Sequence, residues 1–473
     1  MTNDINTDIC VLGAGSAGLV VAASAAFFGV KVVLVEKDLM GGDCLNYGCV
    51  PSKALIYTGK LKAYMRALGK IGIDLEIPET NFTFVKNYID RVVKTIEPND
   101  SIERFEGMGV KVLKGEAKFV NKKQVIINDK LVTSKKFVIC SGSRPQIPKI
   151  QGLNDIPYHT NETIFKNTDN PSHLVIIGAG AVGVEIAQAY SNLSVDVSLL
   201  DNNVFLNGKD QELSKILKSR MKSQGVDIYD EVNIREIIKL SKEKYRIVFE
   251  KKGEEILKDF SHLLLSTGRV ANLDDLALDN AGIKYTKSGI VVNSRMRTSN
   301  KRVFAAGDVI GKNMFTHSAS YEAGIVIRNI LFKVPAKAKM NVPEVIYSSP
   351  EYASIGISED DAIQNYSSVN ILRWPISEND RAITEGHEIG VIKVFVKKNG
   401  IILGVKILAP NAADLIVPWM LAMNKKVTIA SMANLIIPYP TLSEISKRVS
   451  NNFFLPKLTS KLIKKLVKVL VKI

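Results

Sequence analysis

The chain has little cysteine, four residues in 473, at positions 10, 44, 49 and 140. That is too few, and too unevenly spaced, for the disulfide framework of a small secreted domain. In a reducing compartment the close pair Cys44 and Cys49 points to catalysis rather than to a staple. No run approaches the roughly 20 uninterrupted apolar residues of a membrane span. The nearest, Leu19 to Val30, is interrupted by Ser24 and Gly29. The first residues, Met1 to Thr7, are polar and lead at once into an apolar strand, leaving no room for the basic and apolar regions of a secretory leader. The expectation is a soluble chain of the cytoplasm. Acid is missing from one region: from Lys457 to the end there are six lysines and no Asp or Glu. That tail carries a large part of the formal charge of +15, so the excess is local rather than spread over a nucleic-acid-binding face.

What remains is ordinary for a folded protein. Apolar residues make up 46% and charged residues 23%, enough to build about three domains.

Within the chain one pattern occurs twice. Thr7-Asp-Ile-Cys-Val-Leu-Gly13-Ala-Gly15-Ser-Ala-Gly18 reads as a buried strand, a glycine turn and the start of a helix, returning as Lys31-Val-Val-Leu-Val-Glu36. His173-Leu-Val-Ile-Ile-Gly178-Ala-Gly180-Ala-Val-Gly183 repeats the plan and returns as Asp196-Val-Ser-Leu-Leu-Asp201. All three glycines and the closing acid recur at a constant offset of 165 residues. The first glycine permits the tight turn, the second lets backbone approach a pyrophosphate, and the third lets helix and strand pack closely. The helix start offers free N–H groups to phosphate, and Glu36 and Asp201 are placed to accept from ribose hydroxyls. Two dinucleotide-binding units follow. A carboxylate at 201 would repel a ribose 2′-phosphate, and no arginine stands at 202 to 204, so NADH is favoured over NADPH.

Between these units lies Gly41-Gly42-Asp43-Cys44-Leu45-Asn46-Tyr47-Gly48-Cys49-Val50-Pro51-Ser52-Lys53. Its C-x4-C spacing brings two sulfurs within bonding reach once the loop curls, and a nearby helix start would lower at least one thiol pKa. A structural disulfide gains little from closing so short a loop. A metal site lacks further Cys or His ligands nearby, so no metal is expected.

On these residues the chain resembles the pyridine nucleotide-disulfide oxidoreductases, the group of dihydrolipoamide dehydrogenase, glutathione reductase and mercuric reductase. Further blocks carry the likeness in family order: Gly115-Glu-Ala117, Ser141-Gly142-Ser143-Arg144-Pro145, Ser266-Thr-Gly268-Arg269 and Val303-Phe-Ala-Ala-Gly307-Asp308. The resemblance implies an α/β fold with two Rossmann-like dinucleotide-binding domains, for FAD and NAD(P), plus a C-terminal α+β dimerisation domain. The expected boundaries are 1–150 and 271–340 for the FAD domain, 151–270 for the NAD(P) domain, 341–452 for the interface domain and 453–473 for a basic tail. It further implies that FAD is held by Gly13, Gly15, Gly18, Glu36, Lys53, Ala117, Ser141, Gly142, Asp308, Met314 and His317. NAD would lie on Gly178, Gly180, Gly183, Asp201 and Gly268. Cys49 would face the flavin as the charge-transfer thiol and Cys44 would meet the substrate. Lys53 would stand near flavin N5, paired with Glu185, where an ammonium supports negative charge on the ring.

From about Val342 the pattern turns to alternating strands such as Gly390-Val-Ile-Lys-Val-Phe-Val, similar to the family's homodimer-forming domain. In such dimers the block Pro438-Tyr439-Pro440-Thr441-Leu442-Ser443-Glu444 of one subunit completes the other's disulfide site. Dihydrolipoamide dehydrogenase and glutathione reductase carry a histidine base before Pro-Thr, held by the glutamate. This chain has Tyr439, and its five histidines, at 159, 173, 262, 317 and 387, lie elsewhere. Tyrosine ionises about 3.5 pH units above histidine, so efficient lipoamide or glutathione turnover is not expected. Tyr439 reads either as a catalytic hydroxyl or as a packed interface aromatic whose O–H Glu444 accepts. Mercuric reductases share a tyrosine in this block and a stretch like Ser377 to Gly386, yet their C-terminal cysteine pair is missing here.

In the tail, Lys461, Lys464, Lys465, Lys468 and Lys472 fall on one helical side and Leu458, Leu462, Leu466, Val469 and Ile473 on another. Such a helix suits either an anionic membrane surface, through residues 457–473, or the protein's own core. No nucleic acid is expected, because the tail lacks arginines and aromatic platforms. The leading expectation is a homodimeric FAD- and NADH-dependent disulfide oxidoreductase of the cytoplasm, resting on the inner membrane face if the tail binds lipid. Its acceptor is a small disulfide, a quinone or a metal ion. The competing expectation is a flavin-binding membrane adaptor that no longer turns over, against which the intact Cys44 and Cys49 argue.

Overall fold

The computed structural model describes residues 4–339 and 341–472. Ile473, counted above with the apolar side of the tail, lies outside the described residues. The chain forms two compact units. The first comprises 1–178, 192–200 and 232–340, and the second 179–191, 201–231 and 341–473. The segment 151–270 is thus shared between them.

The first unit is organised by a seven-stranded sheet. Its strands run in the order Val110–Lys114, Val32–Glu36, Ile5–Leu12, Lys130–Ile139, Gln124–Ile127 and Ala117–Asn121, with Val303–Ala305 pairing with Lys130–Ile139. Ile5–Leu12 is parallel to both of its neighbours, which explains its apolar run Ile9–Leu12: a central parallel strand is covered on both faces. Helix Ser16–Phe27 packs on helix Thr316–Ile330, so the residues after 300 complete the layer begun at the N-terminus. A second parallel set joins His262–Leu265, His173–Ile177 and Asp196–Leu200. An antiparallel meander runs through Asn233–Lys239, Tyr245–Lys251 and Glu254–Phe260.

The second unit holds a five-stranded antiparallel sheet, in the order Glu344–Ile346, Glu351–Gly356, Ile402–Ala409, Val391–Lys397 and Val369–Pro375. Its core is centred on Trp419, fully buried, whose indole N–H donates to the Ser446 hydroxyl at 3.1 Å. Lys393 is only 2% exposed, yet its ammonium meets Asp210 at 2.7 Å, Glu212 at 3.1 Å and Glu359. Three carboxylates offset the desolvation of one buried cation. Asp210 also caps helix Gln211–Ser223, accepting from the backbone of Glu212 and Leu213, so one carboxylate serves the helix start and the sheet.

Candidate active site

The redox segment is two helices divided by a tight turn. Helix Gly42–Asn46 carries Cys44, and helix Cys49–Leu68 begins at the second cysteine. Pro51 is tolerated because the first turn of a helix has no intrahelical acceptor for its N–H. The separating turn needs Gly48, since a methyl there would lie 2.8 Å from an Asp43 carboxylate oxygen.

The pair stands as two thiols, the reduced state of such a couple. Cys49 is exposed and its sulfur lies 3.3 Å from the Thr316 hydroxyl. Hydrogen bonding from Cys44 brings the Cys49 pKa down to about 6, helped by Thr316 and by the Lys53 ammonium one helical turn along. Cys44 is driven the other way, well above the ordinary thiol range, by the same contact and by burial. The proton of the reduced pair therefore rests on Cys44 and the negative charge on Cys49.

Asp43 ties this segment to the sheet. Its Oδ1 accepts from Arg269 and from the Asn161 amide, each at 3.0 Å. Arg269 also donates to the Ser143 hydroxyl at 2.7 Å, and Ser143 donates to Asp308 at 2.6 Å. Gly307, just before Asp308, donates its N–H at 2.8 Å to Glu322, a buried carboxyl pushed up to about 7 by desolvation. Ser141 and Gly142 are fixed through Asn272, which donates to both of their carbonyls. Met314 and His317 flank the start of helix Thr316–Ile330, His317 exposed and stacked on Phe315.

The first glycine turn fits a dinucleotide. At Gly13 (φ +104°) a methyl would strike the Cys140 carbonyl at 2.2 Å, and at Gly18 it would lie 1.9 Å from the Gly13 carbonyl. Gly42 leans on Gly15, where a methyl would sit 2.8 Å from the Gly15 Cα, so the backbone beside the turn stays bare. Glu36 accepts from Ala14 N–H at 2.6 Å and Asp38 N–H at 2.8 Å, closing the turn from the second strand. Ala117 is buried at the start of its strand.

The second turn repeats this. A methyl at Gly178 (φ +113°) would meet the Ser266 carbonyl at 2.3 Å. Asp201 accepts from Ala179 N–H at 2.6 Å and Asn203 N–H at 2.7 Å. Gly183 lies in helix Ala181–Asn192, Gly180 just before it, and Gly268 (φ +117°) before strand Arg269–Ala271. Glu185 is buried and accepts from Tyr347 N–H at 2.9 Å.

In the C-terminal block the structure departs from one expectation. Tyr439, 68% exposed, donates its hydroxyl to Asp380 at 2.8 Å, not to Glu444. Glu444 instead pairs with Arg448 at 3.3 Å, the i,i+4 neighbour on its own helix. The Asp380 contact raises the Tyr439 pKa further above 10.

Residues 7–323 match the pyridine nucleotide-disulphide oxidoreductase family, and residues 342–449 match its dimerisation domain. The chain belongs to this family. It is an FAD-dependent pyridine nucleotide-disulphide oxidoreductase, with the domain by which the family forms homodimers. It is 34% identical over 454 residues to a dihydrolipoyl dehydrogenase of Geobacillus stearothermophilus, covering 93% of this chain and 95% of that one. It is 30% identical to a mercuric reductase of Staphylococcus aureus, over 95% and 83% of the two chains. The HOCl-induced flavoprotein disulfide reductase RclA of Escherichia coli superposes with a TM-score of 0.85 at 23% identity, covering 94% of this chain and 99% of that one. RclA has also been solved as a Cu(II) complex.

Asp43, Arg269, Thr316, Asp380 and Glu322 were not singled out in the sequence as site residues. Asp43 and Arg269 lay inside quoted motifs, but the contacts that bring Asp43 to Arg269 and Cys49 to Thr316 join residues 226 and 267 positions apart.

Proposed function

We propose that this chain oxidises NADH and passes the electrons through Cys49 and Cys44 to a thiophilic, redox-active metal ion such as a cupric or mercuric ion. The carrying observation is Tyr439, whose hydroxyl is engaged by Asp380 and held above its ordinary pKa where a disulfide reductase needs a base near neutrality.

FAD, when bound, supplies hydride acceptance from reduced nicotinamide and delivery of the electron pair to sulfur. Asp201 favours a nicotinamide nucleotide with a free 2′-hydroxyl, because a 2′-phosphate would be repelled there. Lys53 supplies positive charge beside Cys49, one helical turn along. Cys49 holds the anionic sulfur. Cys44 holds the proton and meets the acceptor.

The balance favours an ion over a disulfide. NADH and the Cys44–Cys49 disulfide yield NAD+, one thiol and one thiolate, with no further proton. Thiol and thiolate then close to the disulfide, releasing one proton to solvent and two electrons, which reduce two cupric ions or one mercuric ion. Both routes require Cys44 to lose its proton; a thiophilic cation displaces it to solvent by bonding to the sulfur, whereas an organic disulfide has no such means and also needs its departing thiolate protonated inside the site. Tyr439 serves neither step at neutral pH.

The test is a panel of cupric ion, mercuric ion, lipoamide and glutathione disulfide with the flavin-loaded enzyme, run with NADH and with NADPH. Lipoamide should fall at least about a hundredfold below the ions in kcat/KM, the usual range for a missing acid–base group. Tyr439→Phe should leave ion reduction nearly unchanged, and Tyr439→His should raise lipoamide turnover. Disulfide turnover equal to that of the ions, or loss of ion reduction in Tyr439→Phe, would refute the proposal.

A further inference from the structure

We infer that the C-terminal segment after Phe453 is an anchor that seats this protein on an anionic lipid surface. Phe453 packs against the core of the second unit, and the chain beyond it leaves that core. Helix Leu455–Leu458 leads to helix Lys461–Leu470, whose start is fixed by the Ser460 hydroxyl accepting from Ile463 N–H. No residue of either helix is buried.

The sides of the longer helix are sharply divided. At about 100° per residue, Lys461, Lys464, Lys465 and Lys468 fall within an arc of about 100°, and Lys472 follows just past the helix end. Every other position from 462 to 471 is Leu, Ile or Val. Leu462 is 77% exposed and Val471 80%, with Leu466 and Val469 also on the surface. A globular protein turns such a face onto its core, and this one does not. The alternative of docking on the protein's own core is therefore not the arrangement found.

Charge identifies the occupant. After Glu444 the chain holds eight basic residues and no acid. A second copy of the same helix would meet the apolar side but bring another lysine arc alongside the first. A nucleic acid would meet the lysines and leave a wide apolar side in water, with no arginine or aromatic ring in the helix to stack on bases. An anionic bilayer surface satisfies both, with lysines on headgroup phosphates and Leu and Val side chains among the upper acyl chains. This inference is independent of the acceptor, because membrane binding and turnover are read separately.

The experiment is co-sedimentation of the full-length flavin-loaded enzyme with phosphatidylcholine vesicles, with and without phosphatidylglycerol, at low and high salt. Partition into the anionic vesicles should exceed that into neutral ones by about tenfold or more, given roughly 1 kcal/mol per surface lysine, and should fall as salt rises. Leu462→Asp with Leu466→Asp should lose binding, and Lys464→Glu with Lys465→Glu and Lys468→Glu should lose the preference for anionic lipid, both keeping flavin and NADH oxidation. The inference is overturned if wild-type protein stays in the supernatant, or if these variants bind as wild type does. It is equally overturned if, without lipid, the helix drives assembly beyond the dimer or captures duplex DNA and the same variants abolish that instead.

Discussion

The glycine turns at 13–18 and 178–183 share a spelling but differ in what leans on them. In both, the first glycine takes a positive φ because a carbonyl of the neighbouring strand end, Cys140 or Ser266, occupies the space of a side chain. In both, the closing acid accepts at 2.6 Å from the N–H after that glycine. The second glycines diverge. A methyl at Gly15 would meet Gly42 Cα at 3.9 Å, and a methyl at Gly42, which opens the helix carrying Cys44, would lie 2.8 Å from Gly15, whereas a methyl at Gly180 meets nothing within 4 Å among the described residues. A turn roofed by its own redox segment suits a cofactor that stays, and an open turn suits a nucleotide that comes and goes each cycle.

Alanine substitution at the contrasting glycines is the strongest way to break this comparison. Gly42→Ala forces a methyl to 2.8 Å from backbone at φ +57°, a strain of about 1–3 kcal/mol at a site with no room to relax. The purified variant should lose most of its flavin on desalting, read from absorbance at the flavin band. Gly180→Ala should keep its flavin but raise KM for NADH, because the added methyl stands where the second glycine lets backbone approach the pyrophosphate. Equal flavin retention in both variants would remove the distinction between resident and exchanging nucleotide.

A smaller effect sharpens what the first turn carries and the second lacks. Cys49 is thiolate above about pH 6, and protonation as pH falls through that value removes its nucleophilicity. Alkylation of the reduced enzyme by iodoacetamide should therefore label Cys49 before Cys44, with a midpoint near pH 6. Thr316→Val removes one hydrogen bond to the sulfur and should move that midpoint upward, since the thiolate loses a donor. An unmoved midpoint would show that Thr316 does not act on the charge of Cys49.

What the sequence made legible follows from where sterics are harshest. Gly13, Gly18 and Gly178 are required by carbonyls within about 2 Å of the missing methyl, so their spacing survives as a readable signal. The run Ile9–Leu12 was readable because burial on two faces leaves a central parallel strand apolar, whereas Val391–Lys397, expected to alternate, is buried on both faces, Lys393 included. The polar links were not readable. Asp43 meets Arg269 across 226 residues, and Tyr439 meets Asp380 across 59, and no local pattern announces either partner. Glu444 was linked to Tyr439 because they are near in sequence, but an i,i+4 arginine on the same helix claims it. The tail's two sides were plain from its period, whereas its freedom from the core required the coordinates.

The proposed electron path requires a flavin and the Cys44–Cys49 pair to act as one electron store. Anaerobic titration of the flavin-loaded enzyme with NADH tests it most directly. Wild-type enzyme should take up about two NADH equivalents, one for the flavin and one for the disulfide, with a long-wavelength band from the Cys49 thiolate that is absent in Cys49→Ser. Saturation at one equivalent with no such band, in wild-type enzyme that retains its flavin, would contradict it.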